Sequence, residues 1–193
     1  MVVAIGAGVG AAVGTLGDVT GTGRVTGSGS GSLAGLEMNS PAPGDPFPCV
    51  HFADLRAHLP DAPDGFTRVR DEGSSGRYGE VSISEVERVF SGGAGEELSV
   101  RIVDTTLSPE LARAIRAAAS DASGRHADDP TAPILQDRAV GFVRWDADAG
   151  KAEANVLVAD RFVVAVTSQG ARGPGVVRRL AGDIDYDRLA LLR

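Results

Sequence analysis

Cysteine, lysine and aromatic residues are scarce in this chain, and each shortage removes a class of function. One cysteine, Cys49, excludes an internal disulfide framework and a cysteine-rich zinc site, while leaving the compartment open. Lys151 is the only lysine, a matter of coding bias rather than of chemistry. No arginines cluster densely enough to neutralise several phosphates, and 26 acidic against 19 basic residues leave a net charge of −7. Nucleic acid is therefore not an expected partner. Aromatic side chains make up 5% of the chain against 42% hydrophobic residues overall, so the core should be aliphatic. The apolar run at residues 1–16 falls short of the roughly 20 residues that a spanning helix needs.

What is present is clearest in residues 138–170, which read as three consecutive strands. Val140, Phe142 and Arg144 alternate with Ala139, Gly141, Val143 and Trp145, the period of a half-buried strand. Residues 146–150 (DADAG) supply turn chemistry, with Gly150 placed for a positive φ. The return strand sets Ala152, Ala154, Val156 and Val158 on one face and Glu153, Asn155 and Leu157 on the other. A reversal at Ala159, Asp160 and Arg161 leads into residues 162–167, whose Val and Phe content marks a central strand. Neighbours joined this closely form an antiparallel meander.

Along the rest of the chain, residues 1–16 invite two motif readings. Gly6, Gly8 and Ala11 fit the G-x-G-x-x-A dinucleotide fingerprint, but the Gly/Ser/Thr-rich stretch behind them supplies neither the helix nor the second strand that fingerprint needs. No nucleotide cofactor is expected. Gly6, Gly10 and Gly14 instead have the spacing that lets membrane helices approach closely. An export signal or membrane anchor stays open beside a low-complexity tail, although a signal would require basic residues ahead of the apolar run. Residues 17–47, rich in Gly, Ser and Pro, read as a linker. Residues 48–193 are the globular unit.

That unit opens with a short amphipathic helix carrying Phe52, Leu55 and Leu59 and ended by Pro60. His51, Asp54 and His58 lie on the adjacent stripe with Cys49 close by. Two turns separate the imidazoles by about 10 Å, too far for one ion, so solvated residues flanking the apolar stripe are the expectation. A strand follows around residues 66–70. In residues 78–93 the apolar phase slips near Ser84 and Glu85, which a β-bulge would explain. After the GGAG turn, Leu98, Val100 and Ile102 face inward against Ser99 and Arg101. Ser108 as N-cap, Pro109 and Glu110 then start a helix with Leu111, Ile115 and Ala118 buried. Asp121, His126, Asp128 and Asp129 share a polar, Pro-bounded loop whose plainer reading is surface rather than acid/base or cation chemistry. Past the meander, Gly173 and Pro174 begin a helix with Val176, Val177 and Leu180 inward and Gly182 closing it, and Asp185 caps a last turn ending in Leu189 and Leu192.

The fold class expected is α+β: a single antiparallel sheet of about six strands, as two three-strand meanders each followed by a helix, with the helices on one face. Three pieces carry a family resemblance: LP-x-AP-x-GF-x-R at residues 59–68, IS-x-VE-x-VF-x-GG at residues 83–93 and VLVADRFVVAV at residues 156–166. They resemble an uncharacterised bacterial domain of envelope-associated or lipoprotein-like proteins, over about residues 47–192. The order of elements is similar to that of PsbP-like α/β sandwiches. The resemblance implies an envelope or exported location, with a cytoplasmic one as the alternative, and no catalytic residues. Departing from a lipoprotein, Cys49 follows no small-residue box. Asp160 beside Arg161 is the most motif-like pair, and an Asp next to an Arg at a tight turn usually fixes the turn. No Ser stands in a Gly-x-Ser-x-Gly elbow. No catalytic, cofactor-binding or metal residue is assigned. The expected function is a non-catalytic binding or interaction module for a protein or small ligand, ahead of an assembly protein that uses its sheet face, and ahead of a small hydrolase.

Overall fold

The computed structural model describes residues 48–78, 81–126 and 129–192. Residues 1–47, with the Gly6, Gly8 and Ala11 motif, lie outside them, as does Asp128. The described chain is α+β, with one antiparallel sheet of seven strands in the order β1-β2-β3-β7-β6-β5-β4. Its strands are β1 (Phe66–Tyr78), β2 (Val81–Gly92), β3 (Glu97–Thr105), β4 (Ile134–Gln136), β5 (Ala139–Asp146), β6 (Lys151–Val158) and β7 (Phe162–Gln169). The helices are α1 (Phe52–Arg56), α2 (Ser108–Asp121), α3 (Gly175–Gly182) and α4 (Tyr186–Leu189). Two meanders meet where β3 pairs with β7, Val100 opposite Val166 and Ile102 opposite Val164. β7 is the middle strand, as its Val and Phe content required.

The alternation in residues 138–170 holds residue for residue. Ala139, Val143, Ala152, Ala154, Val156, Val158, Phe162, Val164 and Val166 join Val86, Phe90, Leu98, Val100 and Ile102 on the inner face. Over that face lie Leu55 and Leu59 from α1 and its following turn, Val177 and Leu180 from α3, and Tyr186 and Leu189 from α4. Gly150 adopts φ 58°, and Asp146 Oδ1 accepts from the Asp148 and Ala149 amides at 3.1 and 3.0 Å to close the hairpin. Asp185 Oδ1 accepts from the Arg188 amide at 2.9 Å, the N-cap its position announces.

Four expectations are corrected. First, the helices occupy both faces: α2 packs on the outer face, where Ala112 and Ile115 meet Phe142, Leu157 and Val163. Those three side chains have the opposite parity to the inner core, so a second apolar stripe exists and needs its own cover. Second, the second meander has four strands, because Ile134–Gln136 pairs with Ala139–Gly141 as a short edge. Third, β2 carries no bulge near Ser84: its register with β3 is continuous from Ile83 to Ser91. Its inner face is Ser82, Ser84, Val86, Arg88 and Phe90, so buried polar residues imitate a phase slip. The bulge lies in β1, between Arg68 and Arg70. Fourth, Ser108 is the first helical residue and Leu107 the N-cap position, whose amide donates to Thr105 Oγ1 at 3.2 Å.

β1 also runs well past the expected Arg70. Gly73 explains how α1 reaches it: a Cβ there would lie 2.7 Å from the Phe52 ring and 2.9 Å from Val86 Cγ1. The missing side chain lets the helix settle on the strand.

Candidate functional site: the open part of the outer sheet face

The residues singled out on chemical grounds do not converge. His51 caps α1, its Nδ1 accepting from the Ala53 amide at 3.3 Å, and its ring packs against Phe52. His58 sits nearer α4, where burial first and the Arg188 charge second hold its pKa below the ordinary value, against the opposing pull of Asp185. Asp54 is exposed. Cys49 is buried and its thiol points to the Ser82 carbonyl at 3.5 Å. Among the described residues no group of three His, Cys, Asp or Glu side chains is arranged to hold a metal. In the α2–β4 loop, Asp129 Oδ1 accepts from the Thr131 amide and hydroxyl at 2.8 and 2.7 Å; these bonds lower its pKa and fix the turn. Asp121 and His126 are exposed there.

Asp160 and Arg161 part company. Ala159 and Asp160 both adopt positive φ (51° and 57°), which non-glycine residues accept only under constraint. Asp160 pairs with Arg116 of α2, beside the outer face. Arg161 pairs instead with Asp104, through Nε at 3.1 Å and Nη2 at 2.7 Å, while the Val50 amide donates to the same carboxylate at 2.7 Å. One buried aspartate thus ties the chain entering α1, strand β3 and the β6–β7 reversal together. The pairing is architectural. A second such clamp joins Arg88 to Asp71 at 2.6 Å and to the Leu59 and Pro60 carbonyls at 3.1 and 2.9 Å.

The chemistry left over lies on the outer face. α2 makes its main contacts with β5, β6 and β7. Beside it, β1, β2 and β3 present Arg70, Glu72, Ser74, Glu85, Glu87 and Arg101, all of one parity in the paired register. Arg101 lies 3.7 Å from Glu87 and 4.0 Å from Glu85; Arg70 lies 3.3 Å from Glu87 and 3.6 Å from Glu72. A cleft of about 350 Å³ runs between them, lined by Glu72, Gly73, Ser74, Glu85, Glu87 and Arg101. Ser99 and Thr167 share a hydrogen bond of 2.8 Å on the same face.

The row through Glu87 and Arg101 continues across Ala165 to Asn155. Asn155 is 1% exposed, and its Oδ1 has no hydrogen-bond partner among the described residues. A buried acceptor without a donor costs about 1–3 kcal/mol.

Hollows of about 440 and 460 Å³ occur elsewhere, one lined by Arg116, Asp137, Arg138 and Asp160, the other by Arg125, Arg144, Trp145 and Lys151. Both draw part of their walls from turns and loops, whereas the β1–β3 cleft is carried wholly by strand backbone, which holds side chains in fixed geometry. The alternation of Glu85, Glu87, Ser99 and Arg101 is visible in the sequence. The partner strand carrying Glu72 is not, because residues 71–78 lack β-branched and aliphatic side chains. No family model matches the chain, and neither a curated protein nor a solved structure matches it.

Proposed function

We propose that the protein is a non-catalytic, envelope-associated binding module whose recognition surface is the open outer face of β1–β3, docking a polypeptide segment with basic side chains. The observation that carries this reading is the set of three glutamates on adjacent strands, Glu85 and Glu87 beside Arg101 and Glu72 and Glu87 beside Arg70. Carboxylates outnumber guanidiniums there, and the whole chain carries −7, so a cationic partner is attracted from a distance and held at close range. Guanidinium donors suit paired carboxylates, since each carboxylate accepts two parallel hydrogen bonds. Cys49 speaks against thiol catalysis: burial, with the nearby Asp104 charge, pushes its pKa up to about 11. The envelope placement draws on the apolar residues 1–16, although no helix among the described residues is long and apolar enough to cross a membrane.

Titration of the ¹⁵N-labelled chain with a short Arg/Ser peptide tests the surface. The amides of Glu72, Ser74, Glu85, Glu87 and Arg101 should shift together, and the shifts should fade at 1 M salt, where the Debye length is about 3 Å. Shifts confined to other regions, or none at low salt, would overturn the assignment. Cell fractionation with and without residues 1–45 tests the placement: loss of the membrane fraction on deletion is the expected result.

A further inference from the structure

Among the described residues, the two edges of the sheet differ sharply. β4 is an edge of three residues, whereas β1 is an edge of thirteen. Long regular edges are open to pairing, and chains usually blunt them with prolines, charged side chains (lysine above all) or bulges; the charges on β1 are Arg68, Arg70, Asp71, Glu72 and Arg77. β1 has neither proline nor lysine, and its bulge lies at one end, between Arg68 and Arg70; from Arg70 to Tyr78 its register with β2 is unbroken.

The geometry points to a second copy of this chain as the occupant of that edge, through antiparallel β1–β1 pairing about a two-fold axis at Ser74. Antiparallel self-pairing must keep like faces together, which leaves few registers. Centred on Ser74, the pairing uses all of residues 70–78 and sets Asp71 opposite Arg77 of the second copy on both sides of the axis. Centred on Gly73 or Ser75, no opposite charges meet within residues 70–78; centred on Glu72, two glutamates face each other. Gly73, Ser74, Ser75 and Gly76 put small residues at the axis, where two edges must approach closely. Within one copy Asp71 Oδ2 accepts from Arg88, with Arg68 Nη1 3.8 Å away, and the buried Oδ1 lies 3.5 Å from Arg56 Nε, so an Arg77 of the second copy would join an existing ion-pair cluster. The dimer would join two open outer faces into one continuous acidic surface twice as wide. It requires no ligand and stands independently of the proposed function.

Sedimentation equilibrium on the full chain, with the Ser74→Lys and Ser74→Glu variants, provides the test. The unaltered chain should associate to a dimer. Each variant places like charges at the axis and should weaken the dimer by at least roughly tenfold, and an equimolar mixture should regain it. Unchanged circular dichroism melts establish that both variants fold; independently, Ser74→Cys should cross-link on mild oxidation and Val69→Cys, at the bulge, should not. A chain that stays monomeric at all concentrations overturns the proposal. So does a dimer that survives both variants, or a mixture that stays monomeric.

Discussion

Phe162 lies in the inner core at the start of the middle strand, 1% exposed, with the Arg161 guanidinium 5.0 Å from its ring centre. Truncating it to Ala should cost about 3–5 kcal/mol, a large part of the roughly 5–15 kcal/mol that holds a small domain. Asp148→Ala, at the exposed tip of the β5–β6 hairpin, should cost under about 0.5 kcal/mol, since Asp146 makes the side-chain hydrogen bonds there. Paired urea melts compare them, and equal sensitivity would contradict the packing. Cys49 makes a separate prediction. Its folded pKa is raised from 9.0 to about 11, so the folded protein holds the thiol proton more tightly than the unfolded one. The stability this contributes is whole below pH 9 and is lost as pH rises through 9 to 11. Burial raises the Tyr186 phenol in the same direction, so further loss follows above pH 10. Melts of the Cys49→Ala variant should fall less steeply between pH 9 and 11 than those of the unaltered chain, and an identical pH slope would contradict the assignment.

At the scale of elements, Gly73 decides how α1 meets the sheet. Gly73→Val must displace Phe52 and press on the Glu85 carbonyl, 3.1 Å from the new Cβ, and should cost about 1–3 kcal/mol by overpacking. A thermal melt unchanged by the substitution would mean α1 is not seated there. Strands buried on an aliphatic face are legible in the sequence itself: the alternation from Ala139 to Val166 names its own inner residues. Elements whose pairing rests on backbone rather than side chains are not. β4 is three residues at an edge, and the later half of β1 is DEGSSGRY, with no apolar period to read. β2 misleads for a related reason: Ser84 and Arg88 are buried with hydrogen bonds to Ser75, Asp71 and the α1–β1 loop, and Ser82 is buried where the Cys49 thiol meets its backbone carbonyl. A period count scores polarity, and polarity here does not report exposure. The site is hidden for the same reason: part of its charge sits on the strand that carries no apolar period.

For the whole molecule, two faces of one sheet have different duties. Among the described residues, the inner face is closed by α1, α3 and α4, and α2 closes the outer face over β5–β7. Among the described residues the inner cluster joins α1, α3 and α4 to strands β2–β7, so a chain beginning at Pro46 is expected to melt cooperatively within a few degrees of the full chain; a large loss would show that residues 1–45 pack against it. Asn155 lies under the α2-covered half of the outer face, on the row that runs from Glu87 and Arg101. If its buried Oδ1 is retained for binding, Asn155→Leu should raise stability by up to about 1 kcal/mol while weakening peptide binding, and a variant that is less stable with unaltered binding would make the residue purely structural.

The most direct test of the open-face account separates binding from folding at the three glutamates. The Glu72→Gln, Glu85→Gln, Glu87→Gln triple variant removes the acidic charge from the cleft and keeps side-chain size. The three carboxylates take part in four partly exposed ion pairs, each contributing about 0.2–1 kcal/mol, so the urea midpoint should correspond to a loss of no more than about 4 kcal/mol, while calorimetry shows the basic peptide's affinity reduced at least roughly tenfold. A variant that binds the peptide as tightly as the unaltered chain, or that unfolds for want of those carboxylates, would contradict it.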